Sequence, residues 1–183
     1  FKIIEDACHA PGAYFMDSNH QKQLCGNGRF AELAIFSFHP VKHIAAGEGG
    51  MITTNDEALY QKLLMLRTHG ITKDPSLLEK NEGGWYYEMQ DLGYNYRITD
   101  FQCALGSSQL KRLDQFVQKR RDIAKDYDEA FSQNNIMGIP KTNRSISHAY
   151  HLYPLQFNFN KLNISKPEFF DRMKDHKIYL QSH

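Results

Sequence analysis

Ala34-Ile35-Phe36-Ser37-Phe38-His39-Pro40-Val41-Lys42-His43-Ile44, with the turn Gly47-Glu48-Gly49-Gly50 close behind it, is the stretch on which the fold turns. An apolar run leads straight into Ser37, and a proline-bearing loop then presents a single lysine, Lys42. Residues 33–38 therefore read as a strand bounded by polar residues and glycine. Such a strand carries the Ser37 hydroxyl to the carboxyl end of a sheet, where α/β folds bind ligands.

Outward from that strand, helices and strands alternate. Phe1-Lys2-Ile3-Ile4-Glu5-Asp6 reads as a strand upstream, and Met51 to Thr54 as one downstream. Asn55-Asp56 starts a helix in which Leu59, Leu63 and Leu66 recur at helical spacing, and Gly70 closes it. Residues 71–92 hold Pro75, Gly83, Gly84 and the cluster Trp85-Tyr86-Tyr87 with little periodicity, which predicts a long loop. Thr99-Asp100-Phe101-Gln102 is a capping-box signature that predicts the start of a long helix, with Phe101, Ala104, Leu105 and Ser108 on one face. Leu113, Phe116 and Val117 lead toward a second helix from about Lys119 to Ser132. Gly138 and Pro140 mark a boundary. Beyond it, 150–157 alternates like a strand, Lys166-Pro167-Glu168 starts a helix with proline in its first turn, and Lys177 to Gln181 reads as a further strand. The order is α/β, with residues 1–140 in one unit and a smaller α/β unit in 141–183 whose elements begin near residue 145. A strand at Phe1 without an initiating methionine and a strand ending at His183 both read as breaks inside a larger protein.

Composition narrows the function. At 183 residues, 41% hydrophobic and 13% aromatic, the chain is expected to form a globular domain. The net charge is +1 with the basic residues scattered, which leaves no electrostatic footprint for nucleic acid. Cys8, Cys25 and Cys103 lack metal or redox spacing, so a reducing compartment without disulfides is expected. No apolar run reaches membrane-spanning length and no signal peptide opens the sequence, which makes the cytoplasm the default.

The chemistry-bearing residues converge on one cofactor. A lysine that captures a carbonyl must be restrained, and its amine must react near neutral pH. Lys42 fits, with Ser37 as a phosphate anchor beside it, and the pair points to pyridoxal 5'-phosphate (PLP). Taken singly, a lysine after a strand is a solvated surface residue and a strand-end serine is a backbone cap. Asp6 also ends a strand, where its carboxylate could keep the cofactor's pyridine nitrogen protonated. It could equally cap the next turn. His9 reads as packed against the cofactor ring or as structural, and His39 and His43 as surface or core histidines without metal-site spacing.

The runs Glu5-Asp6-Ala7-Cys8-His9-Ala10, Phe36-Ser37-Phe38-His39-Pro40-Val41-Lys42, Gly47-Glu48-Gly49-Gly50 and Gly93-Tyr94-Asn95-Tyr96-Arg97 resemble, in order and spacing, the DegT/StrS-type nucleotide-sugar aminotransferases. These are PLP enzymes of the aspartate aminotransferase fold (fold type I), and the resemblance covers almost the whole chain. It implies that 1–140 is the C-terminal part of the PLP-binding large domain and 141–183 an incomplete small C-terminal domain. It implies that Lys42 bonds to the cofactor and then moves the proton between cofactor and substrate carbon. By the same resemblance Asp6 pairs with the pyridine nitrogen, His9 lies by the ring, Ser37 binds the phosphate, and Asn95 reaches the phosphate of the neighbouring subunit in a homodimer with shared sites. The stretches 85–97 and 105–113 look most like members that act in pseudaminic acid biosynthesis. These pass an amino group, usually from glutamate, to C4 of a UDP-linked 4-keto-6-deoxy sugar. Another nucleotide-linked keto-sugar, altered at C3 or carried on dTDP, is the alternative, as is a non-catalytic fragment. The glycine-rich phosphate loop and the ring-stacking aromatic of the family are not in this sequence, so these residues alone are expected to bind the cofactor weakly or not at all.

Overall fold

A computed structural model describes residues 1–182. In chain order it contains β1 (Ile4–Asp6), β2 (Tyr14–Met16), β3 (Lys22–Leu24), β4 (Leu33–Ser37), β5 (Gly50–Thr53), α1 (Glu57–Arg67), β6 (Ile71–Thr72), β7 (Glu88–Met89), α2 (Asp100–Leu110), α3 (Leu113–Phe131), β8 (Met137–Gly138), β9 (Ile146–Ser147), β10 (Gln156–Phe157), α4 (Phe159–Leu162) and α5 (Lys166–Asp175). The sheet that matters runs β1-β4-β5. β1 lies parallel to β4 with Asp6 opposite Ile35, and β5 returns antiparallel with Gly50 opposite Ser37. Parallel pairing brings the carboxyl ends of β1 and β4 to the same sheet edge, so Asp6 and Ser37 emerge side by side.

Local chemistry sets the helix ends. Asp56 caps α1 by accepting from Leu59 N–H, and Ser165 caps α5 by accepting from Glu168 N–H. The Thr99–Gln102 capping box forms reciprocally at α2, and the same Gln102 amide donates to Glu48 O at 2.9 Å. That bond ties the start of α2 to the glycine turn beyond Lys42. α2 is only 11 residues long and stops where Arg112 leaves helical geometry. The second helix then begins at Leu113, six residues earlier than the expected Lys119, and runs for 19 residues.

Small side chains allow close packing at the centre. Ala13, Val117 and Ala149 form a buried cluster with Ala10, Cys25 and Leu113 against it. Gly12, with φ +78°, lies so near α3 that a Cβ would come within 2.9 Å of Val117 Cγ2.

One expected strand is cut short and another is absent among the described residues. Across 150–157 only Gln156–Phe157 is strand, and Tyr150 has φ +48°. Side chains take carbonyls from the end of β9, which pairs with β2, into the start of this segment, while Gln156–Phe157 pairs with β8. Arg121 donates to Ser147 O and His148 O, His43 to Ala149 O, and Arg120 to Tyr150 O and His151 O. The absent one is Lys177 to Gln181, which forms no strand among the described residues. Lys177 adopts φ +62°, while Ile178 N–H bonds Met173 O and Lys177 N–H bonds Lys174 O. This is a Schellman closure of α5, with a lysine where glycine usually stands. The expected loop of 71–92 is correspondingly irregular, apart from the β6–β7 ribbon that joins its ends.

Candidate active site

The backbone first fixes the carboxylate. Asp6 ends β1, and Ala7 N–H continues the ladder to Ile35 O at 2.9 Å before the chain turns away. Asp6 Oδ1 then accepts from Cys8 N–H at 3.1 Å. Hydrogen bonding from the Cys8 thiol and then its N–H, aided by the charges of His9 and Lys42, holds the Asp6 carboxyl below its usual range. An ionised carboxylate thus faces a lysine and a histidine at the carboxyl edge of the sheet. The Cys8 thiol is pushed upward, by burial and then by Asp6, which leaves it a poor nucleophile.

Lys42 is placed by the loop after β4. Phe38 N–H bonds Gly49 O, Ala46 N–H bonds Phe38 O, and Lys42 N–H bonds His39 O, so the loop closes on its own backbone. Lys42 itself is partly buried and His43 and Ile44 are buried, which pins the loop from beneath. Ser37 Oγ accepts from His39 N–H at 3.4 Å, the local capping contact its position allowed.

A histidine group adjoins the lysine. The ring centroids of His9 and His151 are 4.1 Å apart, and those of His43 and His151 5.6 Å. Because Ala149 O can only accept, the 2.9 Å contact from His43 Nε2 puts the proton on that nitrogen. His43 Nδ1 and His151 Nδ1 are buried and lack a hydrogen-bond partner. Burial, followed by the positive charges of His9, Lys42, His43 and Arg120, lowers the pKa of His151 to about 4. His43 is lowered too, mainly by burial. Reading the sequence missed His151, since its neighbours suggest a strand and its partners lie more than a hundred positions upstream.

Of the five residues singled out from the sequence, Asp6, His9 and Lys42 form one electrostatic group, with Ser37 at the end of the adjoining strand. Asn95 stands apart. It forms a bridge with Thr68 and accepts from Arg97 Nε at 3.1 Å, on an exposed strap bonded to the end of α1 through Tyr94 and Tyr96. Among the described residues no group of three or more His, Cys, Asp or Glu could hold a metal ion.

The architecture is that of the PLP-dependent aminotransferases. An aminotransferase from Helicobacter pylori involved in pseudoaminic acid biosynthesis superposes with TM-score 0.82 and 30% identity over 100% of this chain and 45% of that one. A Streptococcus pneumoniae protein described as a sugar aminotransferase, solved in PLP and PMP forms, superposes with TM-score 0.77 and 26% identity over 97% of this chain and 42% of that one. Sequence agrees with structure. The UDP-4-amino-4,6-dideoxy-N-acetyl-beta-L-altrosamine transaminase of Campylobacter jejuni is 38% identical over 181 residues, 99% of this chain and 44% of that protein. The DegT/DnrJ/EryC1/StrS aminotransferase pattern matches residues 1–183, and the chain belongs to that family. It spans less than half the length of the curated relatives it matches.

The cofactor of such enzymes fits the donor set. Asp6, already ionised, is the partner a protonated pyridine nitrogen needs, and Lys42 is within its electrostatic reach.

Proposed function

We propose that the polypeptide containing this chain is a PLP-dependent sugar aminotransferase. Its substrate in this reading is a UDP-linked 4-keto-6-deoxy amino sugar, aminated at C4 with glutamate as donor, in pseudaminic acid or related surface-glycan biosynthesis in the cytoplasm. One observation carries the reading: the parallel β1–β4 pair sets the Asp6 carboxylate beside Lys42 and His9 at a single sheet edge.

PLP supplies an electron sink for the charge left when a proton departs from the substrate carbon. The chain's own residues do the rest. Asp6 holds a proton on the pyridine nitrogen. The Lys42 amine would hold the cofactor at its carbonyl carbon and, as base and then acid, would move the proton between the substrate carbon and that cofactor carbon. His9 limits tilting of the ring, and Ser37, together with Asn95 of the neighbouring subunit, binds the phosphate. Residues 1–140 belong in this reading to the large domain and 141–183 to the small one, joined by the β2–β9 and β8–β10 ladders.

The test is reconstitution of the full-length protein with PLP, followed by assay with glutamate and UDP- or dTDP-linked keto-sugars. A lysine-bound absorbance band that Lys42→Ala removes, with turnover of the UDP-4-keto sugar, is expected. Turnover of a dTDP or 3-keto sugar would move the assignment within the family, and a band that survives Lys42→Ala would overturn it.

A further inference from the structure

The assignments above leave His151 without a role, although it lies in contact with His9 and near Lys42. Nothing local in its sequence requires it there. Beyond Ser147, where β9 ends its pairing with β2, the segment that carries it has no strand partner, and its path is dictated instead by donors on other elements. Arg121 Nε bonds His148 O at 3.0 Å and its Nη2 bonds Gly12 O at 3.2 Å, so one guanidinium joins this segment to the turn that follows His9. Arg120 Nη1 reaches Tyr150 O at 3.1 Å and His151 O at 3.3 Å. His43, the neighbour of Lys42, bonds Ala149 O at 2.9 Å. Tyr150 takes a left-handed backbone with φ +48°, a conformation costly for a bulky residue unless surroundings enforce it. The chain is bent so as to deliver the next side chain, His151.

There the ring meets His9 at 4.1 Å with a 46° tilt, and its Nδ1 is buried without a hydrogen-bond partner. A histidine kept for hydrogen bonding would not leave that atom unmatched. The ring surface is what the arrangement uses.

We infer that His151 is a positioning residue, an aromatic backstop from the 147–151 strap that fixes the orientation of His9 against the cofactor ring. The inference rests on His9 lying by that ring, as proposed above. It places part of the support for the cofactor site on residues that follow the Gly138–Pro140 boundary.

The experiment uses full-length protein with ring-labelled histidine, as wild type, His151→Ala and His151→Phe, and with Lys42→Ala as control. Before PLP is added, the His9 ring resonance is expected to shift in His151→Ala, through lost ring current, and to stay near its wild-type position in His151→Phe. After PLP is added, His151→Ala is expected to lose about threefold to tenfold in cofactor affinity, the worth of one aromatic contact, and to shift the lysine-bound absorbance band. His151→Phe, which also removes the unmatched nitrogen, is expected to restore both. An unmoved His9 resonance in a folded His151→Ala variant overturns the inference, as does a phenylalanine variant as impaired as the alanine one. If Lys42→Ala abolishes the band while the His151 variants change nothing, only the positioning role fails. If the band survives Lys42→Ala, the aminotransferase reading fails first.

Discussion

Asp6 carries its negative charge because the turn after β1 bends Cys8 back onto it. The N–H bond at 3.1 Å and the nearby positive groups all favour the ionised form. A carboxyl depressed in this way stays charged through the neutral range and is lost only as pH falls through its lowered pKa. Cofactor affinity in the full-length protein is therefore expected to be flat near neutrality and to decline in acid, and Asp6→Asn is expected to remove that dependence. The same substitution should weaken cofactor binding by about tenfold or more, from losing one charge-assisted hydrogen bond of about 1.5–3 kcal/mol. Titration of the lysine-bound absorbance against PLP at several pH values measures both effects. At this scale the sequence exposed candidate residues that end or closely follow a strand. Lys42, Ser37, Asp6 and His9 each end or follow a strand, so spacing exposed them. His151 has no such signal, because its position depends on Arg120, Arg121 and His43, which no local pattern connects to it.

Elements held by backbone pattern were legible, and those held by side chains were not. The Thr99–Gln102 box foretold α2 because its chemistry is local. The alternation in 150–157 misled at its start because the Arg120 guanidinium takes the Tyr150 and His151 carbonyls where a partner strand would. The β2–β3 hairpin, pairing Tyr14 with Leu24, gave no clean alternation and went unread. In the 71–92 segment one carboxylate gathers four donors. Glu88 accepts from Glu79 N–H at 2.8 Å, Lys80 N–H at 2.9 Å, Tyr86 hydroxyl at 2.9 Å and the Gln90 amide at 2.9 Å. The first of these bonds is the main reason its pKa is depressed. With the folded value below the unfolded one, the contribution to loop order is present above the ordinary glutamate range and is lost as pH falls through the folded value. Glu88→Ala at neutral pH is expected to strip amide-exchange protection from Glu79 and Lys80 while leaving α3 protected. Protection that persists would show that another contact orders the loop. Gly70 and Gly93 press back to back where the strap meets the end of α1, and a Cβ on either would overlap backbone of the other's segment. Backbone cannot move aside as a side-chain tip can, so Gly93→Ala should destabilise by about 1–3 kcal/mol, seen as a lower thermal midpoint.

Across the whole molecule, apolar surface is unevenly placed. Phe101 is 90% exposed, Leu92 81%, Tyr96 72% and Trp85 68%, from the 71–92 loop through the strap to the start of α2, with Phe1 and Tyr179 exposed elsewhere. Apolar side chains exposed close together in sequence are what the proposed dimer would cover. Asn95 lies in this stretch, and its sequence neighbours Tyr94 and Tyr96 stack on one another at 4.9 Å. Its own contacts are to Thr68 and Arg97 and to neither Asp6 nor Lys42, and in the proposed dimer each cofactor is held by Lys42 of one subunit and Asn95 of the other. That arrangement makes a quantitative demand. Full-length Lys42→Ala and Asn95→Ala proteins should each be impaired when pure. After mixing and subunit exchange, half the molecules pair one variant with the other, and each such pair holds one site with both residues intact. Random pairing therefore restores about a quarter of wild-type sites, provided the symmetry is twofold. Recovered transamination near that fraction, absent when either variant is mixed with itself, is the expected result. No recovery despite demonstrated exchange would place Asn95 and Lys42 in the same subunit's site and overturn the shared arrangement.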